Sequence, residues 1–259
     1  MPSYFSKTSR LGRVNTGSVA QRLADTPGVA RTILDAARAA RGMAGADPRA
    51  MSHSWLFTGP PGSGRSLAAL DFAAALMCTD PEEPGCGRCE ACQAVLGAKQ
   101  HTDLVLVDPQ EVIIPVDTVR EVIGRAASLP TVAPWRVVIF NNADRLTNNG
   151  ANALLKTVEE PPARTVIIMC APSDAPEDFS QTLRSRCRHL YIPSPSVESI
   201  TAQLVSEGAS DHDAHLAALT SLRHVGRARR LVNDPAVQKR RAVAINLAEE
   251  VFHGSQGFQ

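Results

Sequence analysis

The sequence has no apolar run of the roughly 18 residues that a membrane-spanning helix needs, so no membrane partner is expected. It also has almost no net charge: 27 lysines and arginines face 26 aspartates and glutamates, a formal +1. That near-balance excludes a global electrostatic pull toward nucleic acid or an anionic surface. No internal repeat is visible. What is there is a composition ordinary for globular proteins, 44% hydrophobic and 20% charged. Its 259 residues suffice for one large or two modest domains with a substantial core.

Two further absences are local. Gly59-Pro60-Pro61-Gly62-Ser63-Gly64-Arg65-Ser66 follows the apolar run Ser54 to Thr58 and leads into a helical pattern from Leu67 to Leu76. This is the strand, glycine loop and helix of a phosphate-binding loop, with Arg65 where lysine belongs. Gly59, Gly62 and Gly64 let backbone N–H groups converge on an anion, and Ser66 stands at the magnesium-ligand position. A guanidinium is broad and planar and forks onto two oxygens, whereas lysine is a slim point charge. The exchange keeps the fold and puts hydrolysis in doubt. The second absence follows the apolar run Val137 to Phe140, where an ATPase places carboxylates for magnesium and for the attacking water. Asn141 and Asn142 stand there, and amides neither act as general bases nor neutralise magnesium. Asp144 comes two residues late and is expected to cap Arg145 and Leu146.

The cysteines are few but clustered. Cys78, Cys86, Cys89 and Cys92 form C-x7-C-x2-C-x2-C, and four thiolates close a tetrahedral shell with no open position. The expectation is structural zinc, with an iron–sulfur cluster as the alternative. Cys170 and Cys187 fall outside the module.

Along the chain, residues 1–18 read as a disordered basic tail carrying Lys7, Arg10 and Arg13. A helix is expected from Val29 to Arg41. Strands follow at Leu104 to Val107, Val137 to Phe140, Thr165 to Cys170 and His189 to Ile192, alternating with helices. The fold class is therefore α/β, a parallel sheet covered by helices over residues 19–192. After Pro193 the patterns are helical only, Val197 to Ser206, Asp213 to Leu222, Arg227 to Val232 and Val237 to Val251, and residues 193–235 read as a small helical lid. Asn152 to Pro162 reads as an amphipathic helix stopped by prolines, with Thr147 a candidate N-cap and Glu159 and Glu160 solvated. Arg184, Arg186 and Arg188 are either a solvated face or the source of an arginine finger for a neighbour's nucleotide.

Taken together, Gly59 to Ser66, the four-cysteine segment, Ala143 to Leu146, Asn152 to Pro162 and Ser185-Arg186-Cys187 resemble the bacterial clamp-loader subunits of DNA polymerase III, within the AAA+ family. The likeness covers about Val19 to Leu231. It is nearer to the delta-prime type than to the ATPase type, gamma or tau, which keeps its lysine and an Asp-Glu pair. The resemblance implies a cytoplasmic stator of a polymerase holoenzyme, with weak or no ATPase activity of its own. Its partners would be gamma/tau and delta subunits and, through the complex, the sliding clamp and primed DNA. It implies that Arg186 is a finger acting in trans, that Ser173 lies near a sensor position, and that Arg227 approaches a bound phosphate. A solvated basic helix is the equal alternative for Arg227. It also implies a helical collar domain, of which residues 236–259 would be the start. ATP binding without turnover is compatible with the loop. The competing function is an active ATPase or a nucleotide kinase working through Arg65.

Overall fold

A computed structural model describes residues 17–109, 111–240 and 243–244. The expected basic tail and most of the stretch after residue 240 lie outside the described residues. The chain forms two compact units, one of residues up to 60 with 64–193, the other of 61–63 with 194 onward.

The first unit is built on five strands: β1 (Ser54–Thr58), β2 (Leu104–Val107), β3 (Arg136–Phe140), β4 (Thr165–Ala171) and β5 (Arg188–Tyr191). They run in the order β2-β3-β4-β1-β5, and every pair is parallel. β1, β3 and β4 are buried at every position. That is why they read as unbroken apolar runs: a parallel sheet covered on both faces has no solvent side to alternate toward.

Alternate side chains of β1 to β4 enter opposite cores. Trp55 and Phe57 go to one face, with Phe72 and the helices α1 (Val19–Arg22), α2 (Pro27–Ala40) and α3 (Arg65–Met77). Fully burying Phe57 or Phe72 contributes roughly 1.5–3 kcal/mol each. α2 starts at Pro27, a residue preset for a first helical turn, and buries Val29, Ile33, Ala36 and Ala37 along one stripe. A four-residue helix, α4 (Glu90–Gln93), closes the cysteine segment on the same face. Leu56, Val138, Phe140 and Ile167 enter the other core, beneath α5 (Val116–Ala126), α6 (Asn148–Glu159) and α7 (Gln181–Arg184). Thr147 caps α6 as expected, its hydroxyl accepting from the Gly150 N–H at 3.1 Å.

The second unit packs α8 (Val197–Ser206), α9 (Asp211–Thr220) and α10 (Val225–Asn233) around Ile200, Leu204, Ala214, Ala217 and Ala218. α9 begins two residues before the expected start because Ser210 accepts from the Asp213 N–H and sets the boundary. The last expected helix, Val237 to Val251, is helical at 237–240 and 243–244.

Candidate functional site

The strand order places the phosphate loop directly after β1, at the strand C-termini, where the chain passes to the far edge of the sheet to begin β2. Gly59, Gly62 and Gly64 have φ of 154°, 87° and 92°, angles that residues with a Cβ rarely adopt. The Gly59 N–H donates to the Pro172 carbonyl at 3.2 Å, tying the loop's start to the end of β4. Arg65 opens α3, with Ser66 beside it in the first turn. Its Nη1 turns back and donates to the Gly59 carbonyl at 2.6 Å. Burial lowers the Arg65 pKa from its ordinary value, while charge from Cys170, Asp144 and Asp178 works the other way. The guanidinium thus braces its own loop with one of its five N–H groups.

At the end of β3 the Asn141 amide donates to Asp108 at 3.4 Å, and its buried Oδ1 has no hydrogen-bond partner among the described residues. Asn142 takes a left-handed conformation, φ 52°, which asparagine tolerates better than most residues. Asp144 does not cap the amides expected: Arg145 N–H donates to the Asn142 carbonyl and Leu146 N–H to that of Ala143, closing a short 3-10 turn. Ser173, at the expected sensor position, donates to Asp178 at 2.6 Å and accepts from the Ala175 N–H at 3.2 Å. It is tied into a turn of its own loop.

Of the three arginines around Cys187, Arg186 and Arg188 are exposed and Arg184 is half-buried, and each also has a specific partner. Arg184 pairs with Asp174 at 2.9 Å. Arg188 donates to the Ala50 carbonyl at 2.6 Å and lies over the Trp55 ring, 5.0 Å from its centre. Arg186 Nε reaches Glu159 Oε1 at 2.6 Å, so Glu159, exposed at the end of α6 as expected, is also an ion-pair partner. Sequence reasoning missed that pairing; the one available signal was an acid at a helix C-terminus, where the dipole disfavours it. Arg186 lies just before β5 and hence at the N-terminal edge of the sheet, opposite the phosphate loop.

The four cysteines of the expected module converge: their Sγ atoms all lie within 4.8 Å of one another, and those of Cys78 and Cys89 are 3.9 Å apart. A tetrahedron with metal–sulfur bonds of ~2.3 Å has edges of ~3.8 Å, so the set fits zinc. Gly85 and Gly87 flank Cys86 with φ of 74° and 72°. A Cβ at Gly87 would stand 2.0 Å from the Gly17 carbonyl oxygen, so the turn is closed to any other residue. Backbone N–H groups of Cys89 and Cys92 donate to the sulfurs of Cys86 and Cys89, both at 3.4 Å. A hydrogen bond from Cys92, outweighing burial, holds the Cys78 thiol below its ordinary value, and the same contact pushes Cys92 up. Cys170 and Cys187 are buried elsewhere, and burial pushes both thiols up to about 12.

Arg227 lies in α10 of the second unit, exposed, with its backbone N–H donating to His224 at 3.3 Å.

Comparison with known proteins follows this geometry. The chain is 36% identical over 165 residues to the DNA polymerase III subunit delta' of Pseudomonas aeruginosa, an alignment of 61% of this chain and 49% of that protein. It is 35% identical over 170 residues to the Escherichia coli K12 subunit of that name, covering 64% and 50%. It is 34% identical over 174 residues to the gamma/tau subunit of Mycobacterium tuberculosis H37Rv, covering 65% and 30%. The chain thus spans about half the length of the delta' relatives it matches. The family model described as DNA polymerase III, delta subunit matches residues 44–196, more than half of the sequence, and the chain belongs to that family.

Proposed function

We propose that this chain serves as a delta-prime-type stator of a DNA polymerase III clamp loader, in which it supports DNA replication by activating ATP hydrolysis on a neighbouring subunit. The observation that carries the reading is the separation of its two phosphate-directed elements. The phosphate loop sits at the C-terminal edge of the sheet and has lost its lysine and its carboxylates. Arg186 sits at the opposite edge, roughly 15 Å away along strands of about five residues, and so stands far from its own loop. An arginine so placed serves a nucleotide on another subunit. There it would neutralise charge developing on the transferred phosphoryl group.

In this role the partners are gamma/tau-type and delta-type subunits, with the sliding clamp and primed DNA reached through the complex, in the cytoplasm. Cys78, Cys86, Cys89 and Cys92 hold structural zinc. The loop from Gly59 to Ser66 retains the backbone cradle for a nucleotide, without the groups for turnover. An arginine finger contributes about 10³–10⁵ in rate where it acts alone, and less in a ring with other fingers. Replacing Arg186 with alanine in a reconstituted loader should lower DNA-stimulated ATP turnover at least about tenfold, with assembly intact by mass. Unchanged turnover in the assembled complex removes the finger assignment.

A further inference from the structure

Glu159 was read from sequence as a solvated helix end, yet it holds the one arginine that the proposed function needs. We propose that Glu159 is a positioning residue: it fixes the Arg186 guanidinium with one edge outward, so that the finger meets a neighbour's phosphate already oriented. This rests on the finger reading of Arg186.

Three contacts from three backbone origins define the pose. Glu159, the last residue of α6, takes Nε at 2.6 Å. The Thr182 carbonyl in α7 and the Ser185 hydroxyl take Nη1 at 2.8 Å and 3.2 Å. No described residue accepts from Nη2, so its two N–H groups are the donors left for phosphate oxygens. The platform beneath is rigid: Leu183 and Cys187, on either side in sequence, are buried in the core under α6 and α7. Arg186 and Glu159 themselves remain 36% and 47% exposed at the side chain, so the pair does little for the core.

That combination, precise geometry with little burial, is what a preorganised finger requires. A long arginine side chain otherwise loses rotamer freedom when it docks, and prior orientation removes that cost from the reaction step. Glu159 stays an acceptor through the Nε–H while the Nη2 edge engages phosphate, so docking does not require the pair to break. The prolines at Pro161 and Pro162 follow the Glu160 cap and stop α6, which leaves Glu159 in its last turn. The Ser185 hydroxyl also donates to the Thr182 carbonyl at 3.0 Å, tying the Nη1 acceptors to each other.

The test compares Glu159→Ala, Glu159→Gln and Arg186→Ala in a loader reconstituted with gamma/tau-type and delta-type subunits. The readouts are DNA-stimulated ATP turnover, its split into kcat and KM, and the melting temperature of each free chain. Glu159→Ala should lower kcat about three- to tenfold with KM and melting temperature unchanged. Glu159→Gln keeps an oxygen acceptor for Nε and should retain at least about half of the wild-type kcat. A kcat unchanged or raised in Glu159→Ala overturns the positioning role, a rise meaning that the carboxylate restrains the finger. A fall in kcat that tracks a fall in melting temperature overturns it equally, as a folding effect. If Arg186→Ala slows turnover while Glu159→Ala does not, this inference fails and the finger reading stands. If Arg186→Ala itself has no effect, both fail.

Discussion

At the N-terminal ends of the strands Asp103 and Arg136 share a buried ion pair at 3.0 Å in which the carboxylate also accepts from the amides of Thr131, Val132 and Ala133. Arg136 spends its Nη1 on the Arg125 and Ser128 carbonyls, each at 2.7 Å. At the C-terminal ends the polar residues are less settled: Asn141 keeps a buried Oδ1 with no partner among the described residues, and Arg65 is bonded to its own loop. An unmet buried acceptor costs about 1–3 kcal/mol. The first edge commits the Asp103–Arg136 pair to the fold, although the buried Thr165 hydroxyl there likewise has no partner among the described residues. The second has the glycine loop and, at the end of β3, Asn141 and Asn142 where an ATPase places carboxylates.

The comparison breaks most severely at the first edge. Asp103→Ala leaves Arg136 buried without its counter-charge and should cost about 3–5 kcal/mol, a fall in melting temperature of about 10 °C. Burial alone would raise the Asp103 pKa, but the amides of Ala133, Thr131 and Val132, with Arg136, hold it well below the usual carboxylate range. A depressed folded pKa contributes stability that is present above the unfolded value near 4 and lost as pH falls below it. The parent should therefore lose stability more steeply than Asp103→Ala below about pH 4, in chemical denaturation at successive pH values. Parallel curves would remove Asp103 from the acid response.

Next in size is the cysteine module. Cys89 sulfur accepts from the Cys92 N–H and lies beside Cys78, so Cys89→Ser takes away one ligand and one knuckle contact together. Loss of a structural metal falls among the large single-residue effects, about 4 kcal/mol here. The module is tied to the start of α1, where the Val19 N–H donates to the Gly85 carbonyl at 2.8 Å. Elemental analysis of freshly reduced protein should give about one zinc per parent chain and none in the variant. A parent chain without metal refutes the zinc assignment, and iron in place of zinc would select the cluster alternative.

What the sequence made legible were features written in consecutive residues. Val137 to Phe140 announced a strand buried on both sides, Thr147 announced a helix cap, and Cys78, Cys86, Cys89 and Cys92 announced a cluster of four sulfurs. What it hid were partners distant in the chain. Asp103 and Arg136 are 33 residues apart and Glu159 and Arg186 are 27 apart, and each pairing exists only because the sheet order brings those segments to one edge. The turn of Arg65 onto Gly59 was hidden for another reason. A missing lysine says what a loop has lost, whereas only the rotamer of the arginine shows what it does instead.

The smallest expected effect lies at the loop itself. Arg65→Lys restores the residue of a working phosphate loop but gives up the planar donor now bonded to Gly59. One exposed or half-buried hydrogen bond contributes about 0.5–1.5 kcal/mol, so stability should shift by no more than that. Turnover should not appear, because the restored ammonium addresses only the terminal phosphates. The magnesium shell and the attacking water still meet Asn141 and Asn142, neither of which carries charge or takes a proton. Isolated Arg65→Lys chain with ATP and magnesium should therefore release phosphate at background rate. A turnover of about 1 s⁻¹ or faster, within the range of working phosphotransferases, would mean that one arginine alone silences this loop and that the asparagines are no obstacle.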